Sequence, residues 1–325
     1  MATSKTTIKV ALDWTPNTIH SGLFVAKAIG AYEKHGLEVE LVSPGPDYNK
    51  TPAKRLQEGE VDLVGISCSS IVVDDRQARW LTHVRQAICP SESCIAYQQT
   101  GSMQLCAIYA ILQRDASAIV STQFSKIGEL GNGKKYGSYN ARYEDEVVKA
   151  MVKKDGGDPN GVKLERQQGK LSLFQSLRDG QVDYTWVFMP WEGVEAELDG
   201  VKLHAFRTED YGVPYGYSPV IAYNASSSTL SNEVLASFVA ATQEGYQQAM
   251  DDVDNAVRTL SKHCDPPRSE EFLRSSQQAI NEHYSDGSTL GSMSGEKWKV
   301  WVDWLREQGL LNGASIEAEQ LFKKF

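Results

Sequence analysis

The chain has 325 residues, a length that predicts two domains or one large domain with two cores. Its formal net charge of −9 and pI of about 5.3 exclude a basic face of the kind that binds nucleic acids. The N-terminus has no signal-like apolar stretch, and no apolar segment is long enough to span a bilayer, so we expect a cytoplasmic protein without membrane contact.

Cysteine and histidine usage argues against a metal centre. The five cysteines are odd in number and form no CxxC pair, so neither a disulfide framework nor a structural zinc site is expected. The six histidines show no HxxxH or HxH spacing. The chain also lacks the GxSxG, P-loop and GxGxxG motifs of common enzyme classes.

The first 64 residues predict three strands that alternate with two helices. Hydrophobic patterning and turn residues place these elements at Ile8–Trp14 (strand), His20–His35 (helix, ending at Gly36), Leu37–Val42 (strand), Pro52–Glu58 (helix) and Val61–Val64 (strand). This order implies a parallel or mixed sheet with crossover helices.

The same order recurs further along the chain. The predicted elements are Lys135–Ser138 (strand), Tyr143–Lys154 (helix), Val162–Glu165 (strand), Leu171–Arg178 (helix) and Val182–Phe188 (strand). The stretch LQEGEVD, which ends at Asp62, resembles LRDGQVD, which ends at Asp183. In both, a helix ends at a glycine and a strand follows through Val-Asp, which favours two similar α/β units.

Beyond about residue 225 the pattern becomes helical. Residues Asn232–Met250 and Val253–Ser261 are amphipathic, and Trp298, Trp301 and Trp304 recur at helical spacing. We interpret this tryptophan stripe as core packing, because large aromatic side chains are usually buried.

Several stretches match a known family, among them LDWTPNTIHSGLFVAKAIGAYEKHGLEVEL, TPAKRLQEGEVDL, AICPSESCIAYQQTG, GKKYGSYNARYEDEVVKAMVKKDGG and WVFMPWEGVEAE. They resemble the thiamine-pyrimidine (HMP phosphate) synthase family and its bacterial relatives, the binding proteins for formyl-aminopyrimidine, alkanesulfonate and taurine. The resemblance covers most of residues 8–224.

The resemblance implies an α/β fold of the type II periplasmic-binding-protein kind, with two lobes joined by two crossovers. The crossovers would lie near Asp115–Ser117 and Pro219–Tyr223. Lobe one would comprise residues 1–115 plus 219–325, including a helical C-terminal segment, and lobe two residues 116–218. Residues 64–86 have no counterpart in the family and are either an insertion or an artefact of the gene model.

Candidate ligand-binding residues follow predicted strands, because α/β sheets bind ligands at the carboxyl ends of strands. They are Trp14, Asn17, His20, Ser91, Glu92, Ser93, Ser138, Tyr139, Asn140, Trp186, Glu192, Tyr215 and Tyr217. Trp14 would stack on a flat ring, and the turn at residues 138–140 would seat a phosphate or carboxylate. The resemblance supports Glu192, whose carboxylate suits the N–H groups of an aminopyrimidine. The alternative is structural: a core Trp14, capping serines and a solvated Glu192.

The synthases of this family carry a pocket lysine, a histidine donor four residues later and a cysteine-rich run. The resemblance implies that they build the pyrimidine from pyridoxal phosphate and that histidine, with iron. Here Cys89 stands at the lysine position, Ser93 at the histidine position, and YGVPYGYS, ending at Ser218, at the cysteine-rich run. Without the lysine no Schiff base forms there, so the residues favour binding over catalysis.

Three hypotheses follow. The first is non-catalytic binding of a thiamine-pyrimidine-like or pyridoxal-phosphate-like ligand, with no cofactor and a small molecule as partner. The second is a divergent synthase in the same pathway, which would use pyridoxal phosphate and iron; a cytoplasmic location without a transporter favours it. The third is sulfonate binding, which predicts a more basic pocket than the sequence offers. The sequence leaves open whether the chain forms a homodimer.

Overall fold

The computed structural model describes residues 5–44, 52–65, 91–166, 172–226 and 230–325. Two five-stranded sheets organise this part of the chain. The first contains β1 (Thr6–Ala11), β2 (Leu37–Val42), β3 (Leu63–Gly65), β4 (Leu105–Ala110) and β10 (Val220–Asn224). The second contains β5 (Ser117–Ser121), β6 (Lys135–Ser138), β7 (Lys163–Arg166), β8 (Tyr184–Phe188) and β9 (His204–Phe206).

Helices surround the sheets and form the C-terminal segment. They are α1 (Ser21–Ala28), α2 (Ala31–Lys34), α3 (Pro52–Gln57), α4 (Ser91–Thr100), α5 (Glu144–Lys154), α6 (Leu173–Arg178), α7 (Val194–Leu198), α8 (Asn232–Asp251), α9 (Val253–Leu260), α10 (Glu270–Tyr284) and α11 (Gly295–Glu307). None of these described helices is both long and apolar enough to cross a membrane. The expected α/β fold with a helical C-terminal segment is confirmed.

The two sheets share one topology. Their strand orders are β2-β1-β3-β10-β4 and β7-β6-β8-β5-β9, and in each the first three strands are parallel and the fourth is antiparallel to its neighbours. The chain passes to the second sheet between Ala110 and Ser117 and returns between Phe206 and Val220. The proposed lobe boundaries stay a prediction, and the predicted insertion at 64–86 lies almost wholly outside the described residues.

The repeated Val-Asp sequence has the same structural role in both sheets. The Oδ2 atom of Asp62 accepts the Lys9 N–H at 2.9 Å, and the Asp62 N–H donates to the Lys9 carbonyl at 2.8 Å. Asp183 makes the same pair of bonds with Lys135, at 2.7 and 2.9 Å. Each aspartate therefore fixes the start of a strand against its parallel neighbour, which explains the sequence similarity without any role in binding.

One predicted helix is wrong. The stretch predicted as a single helix from His20 to His35 consists of a short 3₁₀ turn ending at His20, then α1 and then α2. The break falls at Gly30, whose φ of 72° is left-handed and interrupts the helical hydrogen bonds. Trp298 and Trp301 are fully buried, which confirms the core interpretation of the tryptophan stripe.

Helices α1 and α8 pack in close contact at Gly245. A Cβ atom added to Gly245 would lie 2.1 Å from the Gly22 carbonyl oxygen and 2.5 Å from the Ala26 Cβ atom. Gly245→Ala is therefore expected to lower the free energy of unfolding by about 2–3 kcal/mol, because two helix backbones must separate. Glu244→Ala, at an exposed neighbouring position, should change it by less than about 0.5 kcal/mol. Urea unfolding measures both, and equal effects would contradict this packing.

Candidate ligand-binding site

One cleft collects residues from both sheets and from the connections between them. It holds about 690 Å³ of empty space, counting the part that is open to solvent. Its lining residues are Trp14, Asn17, Ile19, Asp115, Ser117, Tyr139, Trp186, Val187, Phe188, Trp191, Glu192, Ser218 and Pro219. Many of these residues follow the carboxyl end of a strand, as expected for an α/β ligand site.

Five of the predicted ligand residues meet in this cleft, namely Trp14, Asn17, Tyr139, Trp186 and Glu192. They come from the segments after β1, from the turn after β6, and from β8 and the turn after it. Residues separated by more than 170 positions in the chain therefore share one cavity. The side chains provide flat apolar faces together with a few polar groups, the combination typical of small-molecule sites.

Trp186 is an aromatic residue of the cleft that carries a buried hydrogen-bond donor. Its side chain lines the cleft, although the residue is only 3% exposed. Its Nε1–H has no hydrogen-bond partner among the described residues. The Tyr215 ring packs against the indole at a centroid distance of 5.5 Å. Because an unpaired buried donor costs free energy, a ligand acceptor that reaches Nε1 would be favoured.

Glu192 supplies a carboxylate to the same cleft. It lies in the π-helical turn Met189–Gly193, and its Oε2 atom accepts the Phe188 N–H at 2.9 Å. Burial raises the pKa of Glu192 to about 7, against the lowering effect of the Phe188 hydrogen bond; the charge of Glu195 adds to the rise and that of Arg268 opposes it. When Glu192 is ionised, its carboxylate is therefore a strong hydrogen-bond acceptor beside aromatic rings.

Asp115 is a cleft residue that sequence reasoning placed only at a crossover. Its Oδ1 atom accepts the Ser117 N–H at 3.0 Å and the Ser117 hydroxyl at 2.7 Å. Burial raises the pKa of Asp115, while these bonds to Ser117 oppose the rise. The Asp-x-Ser spacing is the usual signal of such a turn, but it gives no sign that the turn borders a cavity.

His20 lies behind the cleft wall and not on it. Its Nε2 atom lies 2.5 Å from Oδ1 of buried Asp13, and its Nδ1 atom accepts the Asn17 N–H at 3.3 Å. The ring is therefore held on both sides, by the Asp13 carboxylate at Nε2 and by the Asn17 backbone at Nδ1. His20 therefore positions Asn17, and His20 itself does not line the cleft.

Ser91, Glu92 and Ser93 begin α4, as predicted, but are buried outside the cleft lining. The Tyr215 hydroxyl donates to Glu92, and the Ser91 N–H donates to the Tyr217 carbonyl at 3.0 Å. Burial raises the pKa of Glu92 to about 7, while the Tyr215 hydrogen bond lowers it. These residues, together with both tyrosines, fasten the segment that supports Trp186.

The turn after β6 does not offer the expected seat for a phosphate or carboxylate ligand. Only Tyr139 of this turn lines the cleft. The Ser138 hydroxyl donates to Asp145 at 2.9 Å and accepts the Asn140 N–H at 3.0 Å. The carboxylate of Glu144 occupies the seat itself, because it accepts backbone N–H groups of the turn.

The residues that would decide on synthase chemistry are only partly described. Cys89 lies outside the described residues. Ser93 is buried, and its hydroxyl has no hydrogen-bond partner within the described part of the chain. In that same part, no group of three or more His, Cys, Asp or Glu residues could hold a metal ion.

Two sheets of equal topology and a cleft lined from both define a ligand-binding protein of the periplasmic-binding-protein fold. The chain belongs to the NMT1/THI5-like family, whose model matches residues 17–104 and 82–256. The recognised family resemblance is thereby confirmed.

Curated relatives and solved structures are similar over most of the chain. The chain is 24% identical to a formylaminopyrimidine-binding protein of Halalkalibacterium halodurans, over 92% of this chain and 84% of that protein. It is 26% identical to a putative thiamine biosynthesis protein of Haemophilus influenzae, over 76% and 70%. It superposes on the periplasmic aliphatic sulphonate-binding protein of Escherichia coli with a TM-score of 0.68 and 13% identity, over 98% and 92%. At 13% identity, the similarity to the E. coli structure shows a shared fold and nothing more.

The expectation of a cytoplasmic protein is contradicted by these comparisons. The E. coli protein with this fold is periplasmic, and another similar structure is the ligand-binding component of an ABC-type import system from Staphylococcus aureus. The N-terminal argument fails because the lack of an apolar stretch in these residues does not determine where a protein of this fold works.

Proposed function

We propose that this protein binds a small, planar, aminopyrimidine-like molecule of the thiamine pathway and serves its biosynthesis or salvage as a binding protein. The observation that carries the proposal is the meeting of Glu192 with the aromatic residues Trp14, Tyr139 and Trp186 in one cleft. A carboxylate accepts from an exocyclic amine and a ring N–H, while an indole N–H donates to a ring nitrogen. The names of the two curated relatives support this ligand class.

The synthase alternative has less support from the site. Pyridoxal phosphate carries a phosphate, and the anion seat of the turn after β6 is occupied by the chain's own Glu144. The described residues therefore do not fit that cofactor at this turn, and we derive no catalytic step from it. Sulfonate binding meets the same obstacle, since a sulfonate is also an anion.

Native mass spectrometry and calorimetry with aminopyrimidines, pyridoxal phosphate and taurine test the proposal. We expect an aminopyrimidine to bind at one site per chain and to leave the protein mass unchanged. Binding of taurine alone would contradict the proposal. So would an iron- and oxygen-dependent loss of mass from a histidine, because it would establish synthase chemistry.

Trp186→Phe separates ligand recognition from folding. It keeps an aromatic ring but removes the indole N–H, so aminopyrimidine affinity should fall about 10-fold through loss of one hydrogen bond. In the ligand-free protein the substitution breaks no hydrogen bond of this N–H, because the N–H has no partner among the described residues. Loss of hydrogen bonding should therefore not lower the thermal midpoint. Trp304→Phe, outside the cleft lining, should leave affinity unchanged. Unchanged affinity in Trp186→Phe would remove this donor from the proposed site.

A further inference from the structure

Helix α5 begins directly after the turn that brings Tyr139 into the cleft. The N-terminus of a helix attracts anions, because its first N–H groups lack partners within the helix and the helix dipole is positive there. In this protein the position is already filled. The side chain of Glu144, the first residue of α5, folds back over the turn.

Three donors hold the Glu144 carboxylate. Its Oε1 atom accepts the Tyr136 hydroxyl at 2.8 Å and the Tyr139 N–H at 3.1 Å. Its Oε2 atom accepts the Ala141 N–H at 2.9 Å and lies 3.2 Å from the Ser138 hydroxyl oxygen, which donates to Asp145. The residue is only 2% exposed. The donors that an entering phosphate would use are therefore already committed to an internal carboxylate.

The turn is also held in place from the opposite side. Asn140 and Tyr143 adopt left-handed φ angles of 59° and 62°, which fold the chain back towards Glu144. The Tyr143 hydroxyl donates to Oε1 of Gln99 in α4 at 3.0 Å. Because α4 precedes a strand of the first sheet, this bond joins the two halves of the structure beside the cleft.

We propose that Glu144 is a specificity-determining residue that makes the cleft select a ligand without a phosphate or sulfonate group. This inference rests on the proposed function for the ring that the ligand carries. A second anion at the turn would face the carboxylate of Glu144 and would find the turn's N–H groups occupied. Among hydroxymethyl-aminopyrimidines, the protein therefore takes the free alcohol in preference to the phosphate ester.

Calorimetry at pH 8, above the raised pKa of about 7 that burial gives Glu144, with 4-amino-5-hydroxymethyl-2-methylpyrimidine and its phosphate ester tests this selection. The wild-type protein should bind the alcohol at least about 10-fold more tightly than the ester, a difference typical of a mismatched polar site. Glu144→Ala should remove this preference, so that the ester binds at least as tightly as the alcohol does. Glu146→Ala removes an equal charge from the same helical turn, outside the seat, and should keep the preference. Equal wild-type affinities, or an unchanged preference in Glu144→Ala, would overturn the inference.

A second measurement does not depend on the ring. Inorganic phosphate should raise the thermal midpoint of Glu144→Ala but not that of the wild-type protein, since only the variant has free N–H groups at the turn. Glu144→Ser, which also empties the seat, should respond in the same way if the alanine variant folds poorly. Equal phosphate responses in wild type and variants would refute the role of Glu144. Failure of both pyrimidines to bind would instead refute the proposed function and leave the phosphate comparison decisive for Glu144.

Discussion

Replacing Glu192 with glutamine is expected to weaken aminopyrimidine binding about 100-fold, equivalent to about 2.7 kcal/mol. The carboxylate lines the cleft and accepts from N–H groups, and its charge strengthens each of these hydrogen bonds. Glutamine keeps the shape of the side chain but loses the charge and exchanges one acceptor for a donor, which then opposes a ligand N–H. Isothermal titration calorimetry at pH 8, where Glu192 is ionised, measures the loss.

The pH dependence of binding gives this result a second signature. Burial raises the pKa of Glu192 to about 7, so the empty cleft holds a neutral carboxyl group below that pH. A ligand that donates N–H bonds prefers the ionised form, and its affinity should therefore fall up to about tenfold per pH unit below 7. Glu192→Gln should lose this dependence. Glu197→Gln, exposed on α7, should preserve both affinity and pH profile; a pH-independent wild type would contradict the role of Glu192.

Three of the five strands of the second sheet, with the two helices between them, could be predicted closely because their signals are local. The predicted strand Lys135–Ser138 coincides with β6, and the predicted helix ending at Lys154 differs from α5 by one residue at its start. That one residue is Tyr143, whose left-handed φ of 62° depends on the turn to which Glu144 and Gln99 bind. Local patterns thus give the elements, whereas the exact helix start follows from contacts with distant residues.

The cleft was predictable in part, for the same reason. Strand ends predicted Trp14, Tyr139 and Glu192 because ligands bind where strands end. The positions of Asp115 and His20 relative to the cleft could not be predicted, since both depend on how the two sheets face each other. Whether an acid at a helix start points outward or fills the adjacent turn, as Glu144 does, likewise depends on the turn's backbone.

Two buried carboxyl groups outside the cleft lining should make the protein less stable as pH rises. Burial raises the pKa of Glu92 and of Glu144 from 4.5 to about 7, although hydrogen bonds to both groups oppose the rise. Between these two values the folded protein retains protons that the unfolded chain has released, so the free energy of unfolding falls with increasing pH. Stabilisation by the neutral forms is complete below about pH 4.5 and is lost as pH passes through about 7.

From pH 5 to pH 8 each group should remove about 2 kcal/mol of unfolding free energy, or about 4 kcal/mol together. Chemical denaturation across this range measures the slope. Glu92→Gln keeps an oxygen for the Tyr215 hydroxyl but cannot ionise, and should therefore make the loss of stability between pH 5 and pH 8 smaller by about 2 kcal/mol. Glu197→Gln, on the surface, should leave the slope as it is. A protein that becomes more stable between pH 5 and pH 8 would show that these carboxyl groups ionise within the fold at little cost, with their hydrogen bonds fully offsetting burial.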